Sequence, residues 1–334
     1  MAPAAKGEYY RVVKPILATA LVLAISTSGC ALRMSSSGAR PGPVSESSVR
    51  AHMEFLAGDA LNGRGSGTRD EWIAAAYAAS QMRRLGLEPM GEYGGYIQGV
   101  STKGDGRTWN AVGRLPGSDT RARQEVILLS AHLDHLGNRS DRAGAPPDAL
   151  YNGADDDASG SIAVLELMDA LATGRRPRRT IVFALFGSEE RGGLGSRFFA
   201  DQRTVPLTDI VANLQFEMIG RPDAKVPART LWLTGYERSN LGPELARRGA
   251  RLVQDPHPEM KFFVRSDNIQ FARRGVIAHT VSSYGLHKEY HTPADDITRI
   301  DFTHMTDAIR SMIEPIRWLA NATFKPAWNA GMKP

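Results

Sequence analysis

Five short polar stretches between positions 132 and 291 carry the residue types that hold cations and move protons. They are Ala131-His132-Leu133-Asp134, Asn152-Gly153-Ala154-Asp155-Asp156-Asp157, Gly187-Ser188-Glu189-Glu190, Phe216-Glu217-Met218-Ile219-Gly220 and Tyr290-His291-Thr292-Pro293. Imidazole and carboxylate donors suit zinc, with manganese or cobalt as substitutes. Two cations held about 3.5–4 Å apart repel each other and need a shared anion between them; Asp155 is the candidate bridge. Each stretch alone has a plainer explanation. An acidic triplet opening a helix complements the helix dipole, a histidine ending a strand is commonly a satisfied core residue, and a glutamate pair is commonly an exposed turn. Two neighbouring side chains rarely point alike, however, so one of Glu189 and Glu190 can ligate while the other stays free as a general base. His132 with Asp134 offers a ligand and a carboxylate to orient it. His135, His279 and His287 have no such context and are read as structural.

The elements that must position these groups alternate between helical and strand patterns from about Ser45 onward. Val49, Met53 and Leu56 share one helical face, and Trp72, Ile73, Ala76 and Tyr77 begin a second helix that stops at Gly86. Apolar runs over 126–129, 181–186, 210–216 and 276–281 predict buried strands, and Ile162, Leu165, Leu167, Met168 and Leu171 predict a helix between the first two. Continuous apolar strands separated by helices imply a single α/β domain with a mostly parallel central sheet flanked by helices on both faces. Three of the polar stretches sit just after these strands. Side chains beyond the carboxyl ends of parallel strands converge on one crevice. The glycine-rich Gly63-Arg64-Gly65-Ser66-Gly67 follows a helix rather than a strand, so it reads as a loop and not as a phosphate cradle. Between Pro89 and Glu125 the composition suggests a strand-and-loop excursion, too short for an inserted domain. A last helix carries Met305, Ile309, Met312, Ile313, Ile316 and Leu319 on one face.

The chain of 334 residues has 42% hydrophobic and 23% charged residues, a globular balance. The net charge of +5 comes from dispersed basic residues with no aromatic-interleaved groove, which argues against nucleic-acid binding. Lys6, Arg11 and Lys14 precede an apolar run over 16–25, the pattern of an export signal. Ser28-Gly29-Cys30 resembles the lipobox of bacterial lipoproteins, with Thr27 where that motif usually has Leu. The expected organisation is a signal segment over 1–30 with lipidation at Cys30, a flexible tether over 31–45, the catalytic domain over 46–326 and a tail over 327–334. The expected location is the bacterial cell envelope, exported to the periplasm and lipid-anchored.

In this order and at these spacings, the five stretches resemble the clan-MH di-zinc aminopeptidases, including bacterial exported leucyl aminopeptidases. The similarity extends upstream to Met53-Glu54-Phe55-Leu56-Ala57-Gly58-Asp59 and to Arg64-Gly65-Ser66-Gly67-Thr68. The resemblance implies the zinc exopeptidase fold and two Zn2+ per chain, with Mn2+ or Co2+ possible. It implies that His132, Asp155 and Glu217 hold one metal, and that Asp155, Glu190 and His291 hold the other. It further implies Glu189 as general base, Asp134 as the carboxylate behind His132, Tyr290 as an oxyanion donor, Asp295 as the group orienting His291, and a cis linkage between Asp155 and Asp156. Glu217 departs from the usual Asp at its position, which puts the occupancy of that metal in question. The expected substrates are peptides with a free N-terminus, acted on by a monomer. Carboxypeptidase, glutaminyl-cyclase-like and non-catalytic peptide-binding readings of the same scaffold stay open. No Gly-x-Ser-x-Gly elbow supports a serine hydrolase.

Overall fold

The computed structural model describes residues 44–334 apart from 105 and 146. The expected signal segment with Cys30, and residues 31–43 of the expected tether, lie outside the described residues; Val44 is buried and Ser45 caps the first helix. The chain opens with α1 (Glu46–Leu56) and α2 (Arg69–Arg84), then passes through β1 (Glu88–Pro89), β2 (Ile97–Ser101), β3 (Arg107–Leu115) and β4 (Val126–His132). The short β5 (Gly137–Asn138) and β6 (Leu150–Tyr151) precede α3 (Gly160–Ala172), β7 (Thr180–Phe186), α4 (Leu194–Asp201) and β8 (Ile210–Phe216). There follow β9 (Leu231–Leu233), α5 (Leu241–Arg247), β10 (Leu252–Gln254), α6 (Asn268–Ala272), β11 (Ala278–Ser282) and α7 (Phe302–Asn321).

Capping side chains set the helix starts. Ser45 accepts from Ser48 N at the head of α1, Thr68 from Asp70 N and Glu71 N at α2, and Asp301 from His304 N at α7. Beyond α2, Gly86 takes φ +70, a left-handed conformation that ends the helix where the sequence placed its stop.

The main sheet runs β1-β3-β7-β4-β8-β11-β9-β10, with β2 also on β3. Its centre, β7-β4-β8-β11, is parallel throughout. Antiparallel partners flank that centre, β3 beside β7 and β9 beside β11, so the sheet is mixed. The segment between Pro89 and Glu125 supplies the β2–β3 hairpin, which extends the sheet sideways. Period-two alternation sends Ile181, Phe183 and Leu185 of β7 to one face, with α1, α2, α3, α5 and α7, and Val182, Ala184 and Phe186 to the other, with α4 and α6. Helix α3 is apolar nearly all round and lies buried along most of its length, the pattern of a core helix. The compact body continues past the expected boundary at 326. Trp328 bridges to Ser239, Trp328 Nε1 donates to Gly275 O at 3.3 Å, and Asn329 N donates to Arg238 O at 2.7 Å.

His279, the second residue of β11, is structural as its sequence context suggests. Its Nδ1 donates to Thr234 O at 2.8 Å, and its Nε2 accepts from Ser239 Oγ at 2.7 Å. A neutral ring satisfies both bonds, and burial pushes its pKa down to about 4. A histidine whose folded pKa lies below its unfolded value gives up stability as pH falls through the unfolded pKa, because only the unfolded chain takes the proton. Between pH 7 and pH 5 this group should cost the fold about 2 kcal/mol. Urea midpoints at the two pH values should show that loss in the wild type and a smaller one in His279→Gln; equal losses would remove His279 from the acid sensitivity.

Candidate metal centre

The parallel centre of the sheet brings the five stretches together. β4 ends on His132, β7 delivers Gly187 to Glu190, β8 delivers Glu217, and the chain beyond β11 returns to place His291. His132 and Phe186 are register partners, as are Phe216 and Val281, so these strand ends lie level. The turn before α3 carries the acidic triplet into the same space.

Asp156 stands at the middle. Its Oδ1 lies 3.2 Å from His132 Nε2, and its Oδ2 lies 3.1 Å from His291 Nε2. Glu190 Oε1 is 3.2 Å from the same His291 nitrogen. The two oxygens of one carboxylate therefore face two separate donor groups, which is the geometry of a bridge. This corrects the sequence reading, which gave that role to Asp155. Asp155 turns the other way: its Oδ1 accepts from Gly220 N at 2.7 Å, and its Oδ2 lies 2.9 Å from His287 Nε2. The cis peptide joins Asp156 to Asp157, not Asp155 to Asp156. Asp295 is corrected as well. Its carboxylate accepts from Asp155 N at 2.9 Å and Asp156 N at 3.1 Å, so it fixes the backbone of the bridging segment rather than the ring of His291.

Other carboxylates hold the loops in register. Asp134 accepts from Glu189 N at 2.9 Å, Glu190 N at 3.3 Å and Ser66 Oγ, while His132 Nδ1 donates to the Asp134 carbonyl at 3.1 Å. Asp157 accepts from His132 N at 3.1 Å, Gly160 N at 3.0 Å and Met218 N at 3.1 Å, tying β4, α3 and the end of β8 together. Glu71 of α2 accepts from Ser188 N at 3.0 Å, Gly67 N at 2.8 Å and Thr108 Oγ1 at 2.6 Å. Arg64 lies fully inside and donates to the carbonyls of Leu56, Leu133, Asn152 and Gly153. Ser188, Met218 and His291 adopt φ values of +54, +51 and +55, left-handed conformations unusual without glycine, at three corners of the site.

The electrostatics call for positive charge. Burial, and the nearby carboxylates of Glu217, Asp267 and Asp134, push the Glu189 carboxyl well above the usual range despite His132. Burial, with Asp156 beside it, pushes Glu217 up to about 7. Against the cost of burial, Asp156 and Glu190 push the His291 imidazole up to about 9. Protons and metal ions compete for such sites, since ligands must be deprotonated to bind. Among the described residues, His132 Nε2, Glu190 Oε1 and Glu217 Oε2 are buried with no hydrogen-bond partner. Buried polar atoms are normally paired, so these orphans at the expected ligand positions fit a resident cation. His135, Asp156, Glu190 and His291 can each offer one donor atom, all within 4.8 Å of one another.

A cavity of about 80 Å³ opens beside these groups. Glu189, Glu217 and Tyr290 line it, and its apolar wall is Trp232, Phe262, Tyr284 and Met218 with Arg265 at the rim. Trp232 and Phe262 stack at 5.5 Å, and the Arg265 guanidinium sits 5.1 Å from the centre of the Phe262 ring. The ring of Tyr290 stacks on His291 at 3.9 Å. Sequence reasoning left His135 as structural, read the segment around Arg64 only as a loop, and did not single out Glu71. His135 follows a recognised stretch directly and was within reach, whereas nothing local marks a buried arginine in a glycine-rich loop.

The profile of Peptidase family M28 matches residues 110–315, a span that contains every ligand candidate above. Leucine aminopeptidase 1 of the fungus Grosmannia clavigera is 26% identical over 251 residues, covering 70% of this chain and 59% of the fungal protein. The chain thus spans less than two thirds of that relative's length. The fold is shared with a zinc aminopeptidase from Bacillus subtilis at TM-score 0.64 and 16% identity, covering 84% of this chain and 96% of that one. It is also shared with Porphyromonas gingivalis glutaminyl cyclase, at TM-score 0.60 and 16% identity over 82% of this chain and 98% of that one. With the profile matching more than half of its length, the chain belongs to peptidase family M28.

Proposed function

We propose that this protein is a two-metal aminopeptidase that removes the first residue of peptides with a free N-terminus. The observation that carries the reading is Asp156, whose two oxygens face His132 on one side and His291 on the other. His132, Asp156 and Glu217 would hold one zinc, and Asp156, Glu190 and His291 the other. Cations of this kind lower the pKa of a coordinated water towards neutrality and polarise a carbonyl. Glu189 takes the water proton as oxygen adds to the scissile carbonyl, then delivers it to the amine as the C–N bond breaks. Its raised affinity for a proton suits both halves of that exchange. Tyr290 lines the cavity, and burial raises its phenol so that the hydroxyl keeps its proton and can donate to the developing oxyanion. The carboxylates of Asp156, Glu189, Glu190 and Glu217 around one cavity favour an α-ammonium group there. The Trp232, Phe262 and Tyr284 wall favours an apolar first side chain.

A carboxypeptidase reading has one observation behind it, the Arg265 guanidinium at the rim, which suits a terminal carboxylate. Mass spectrometry of free and N-acetylated peptides incubated with the protein separates the readings. Stepwise loss from the free amino end only, abolished by a chelator, is expected. Loss from the carboxyl end would move the function to the carboxypeptidase. Loss of ammonia from an N-terminal glutamine would move it to a cyclase, and an unchanged peptide to a binding role.

Glu189→Gln should keep its metal content and lose about two or more decades of kcat; near-normal turnover would remove Glu189 from the chemistry. Export and anchoring through Cys30 are proposed on the sequence of the leader. Cys30→Ala should move the protein from the membrane to the soluble fraction of the envelope, and retention on the membrane would sink the lipid anchor.

A further inference from the structure

His135 is buried among the ligand candidates, and its place is fixed by backbone rather than by a side-chain bond. His135 N donates to Arg64 O at 3.1 Å, and Ser66 N donates to His135 O at 3.3 Å, in a parallel bridge with Gly65. Its ring lies against Gly153, where a Cβ would meet His135 Cγ at 2.5 Å and Cδ2 at 2.6 Å, and where φ is +59. Only glycine suits that position on both counts. The imidazole is 0% exposed, and neither Nδ1 nor Nε2 has a hydrogen-bond partner among the described residues. A buried ring left so is costly unless something else takes its lone pair.

The geometry around Nδ1 shows what that is. His135 Nδ1 lies 2.9 Å from Glu190 Oε1 and 3.8 Å from Asp156 Oδ2. His291 Nε2 lies 3.2 Å from the same glutamate oxygen and 3.1 Å from the same aspartate oxygen. Donors bound tetrahedrally at about 2.0–2.1 Å from a zinc ion stand about 3.3–3.4 Å apart. The observed separations bracket that edge length.

We infer that His135 is a fourth protein donor to the metal held by Asp156, Glu190 and His291, which closes that site. The other metal, at His132, Asp156 and Glu217, keeps an open position. The inference rests on the two-metal reading and deepens it by making the ions unequal. Closed four-donor sites are those of structural zinc, whereas three-donor sites leave room for water. One ion is a retained anchor, and the other, beside Glu189, is exchangeable and serves the substrate. Glu217, with one methylene more than the usual aspartate, falls on the exchangeable side.

The full-length protein in detergent, stripped of metal, is to be titrated with Zn2+ against a chromophoric chelator and with Co2+ under visible absorption. Two classes of site are expected, the tighter filling first with the intense bands of a four-coordinate Co2+. X-ray absorption of the zinc form at one equivalent should show two imidazoles on the ion. His135→Ala should weaken the tight class by about 100-fold or more, beyond what losing an orienting neighbour costs. Metal-free thermal unfolding checks that this variant is folded. His132→Ala should weaken only the second class. A single imidazole on the tight ion of the wild type, or unchanged affinities in a folded His135→Ala, would falsify the assignment. A chain that bound one ion through two imidazoles and no second ion would uphold His135 and overturn the two-metal reading. Two unequal ions with no peptide cleavage would uphold His135 and overturn the aminopeptidase.

Discussion

The site depends on gathering carboxylates inside a fold that must keep most of them from water. An ionised carboxylate buried without compensation is too costly to survive, and the chain meets this with two different kinds of partner. Asp134, Asp157, Asp295 and Glu71 are bonded by backbone N–H groups from loops other than their own. Among the described residues, no backbone donor reaches the carboxylates of Asp156, Glu190 and Glu217. These three face imidazoles or one another, so they are the ones left for cations. The first set makes the frame, and the second lines the cavity without a backbone partner. Because Asp134, Asp157 and Asp295 each join two ligand-bearing segments, and Glu71 ties the Glu189-Glu190 turn to α2, moving one loop moves its neighbour.

Much of this was legible in the sequence, for a physical reason. Apolar strands buried on both faces are read from composition, and parallel strands turn the residues beyond their ends toward one crevice. His132, the Glu189-Glu190 pair and Glu217 could therefore be gathered from the sequence, whereas His291, and Glu190 as the ligating member of its pair, came with the family resemblance. Orientation was not legible. Three consecutive aspartates differ only in backbone angles, with φ −104 at Asp156 and −128 at Asp157 just before a helix. Nothing in Asp155-Asp156-Asp157 alone says which carboxylate turns inward. The decision comes from afar, from His287 and Gly220 capturing Asp155 and from Asp295 gripping the backbone. His135 was read as structural for a related reason. It lies beyond the end of β4, where two-residue alternation stops applying, and its direction is set by the contact with Gly65. The mixed character of the sheet comes from β3 and β9, whose antiparallel partners are chosen by chain path rather than by hydropathy.

Two rings of the cavity's apolar wall are held by each other and by one histidine behind them. Trp232 of β9 and Phe262 stack on each other, and His257 meets both rings edge-on while its Nε2 lies 2.7 Å from Asp223 Oδ2. These residues come from the segments after β8. Met218 and Tyr284 are the members of the wall nearest the ligand candidates, Met218 following Glu217 and Tyr284 packing on Tyr290, which stacks on His291.

Arg64 gives the ligand loops a permanent internal cation. Four carbonyls, from α1, from the turn after β4 and from the segment before the aspartates, close on one guanidinium. The hollow between the ligand candidates is thus shaped by bonds that involve no ion. Small zinc domains collapse when their metal is withdrawn. In this chain the loops that carry the ligand candidates are instead tied together by a guanidinium, which no chelator can withdraw.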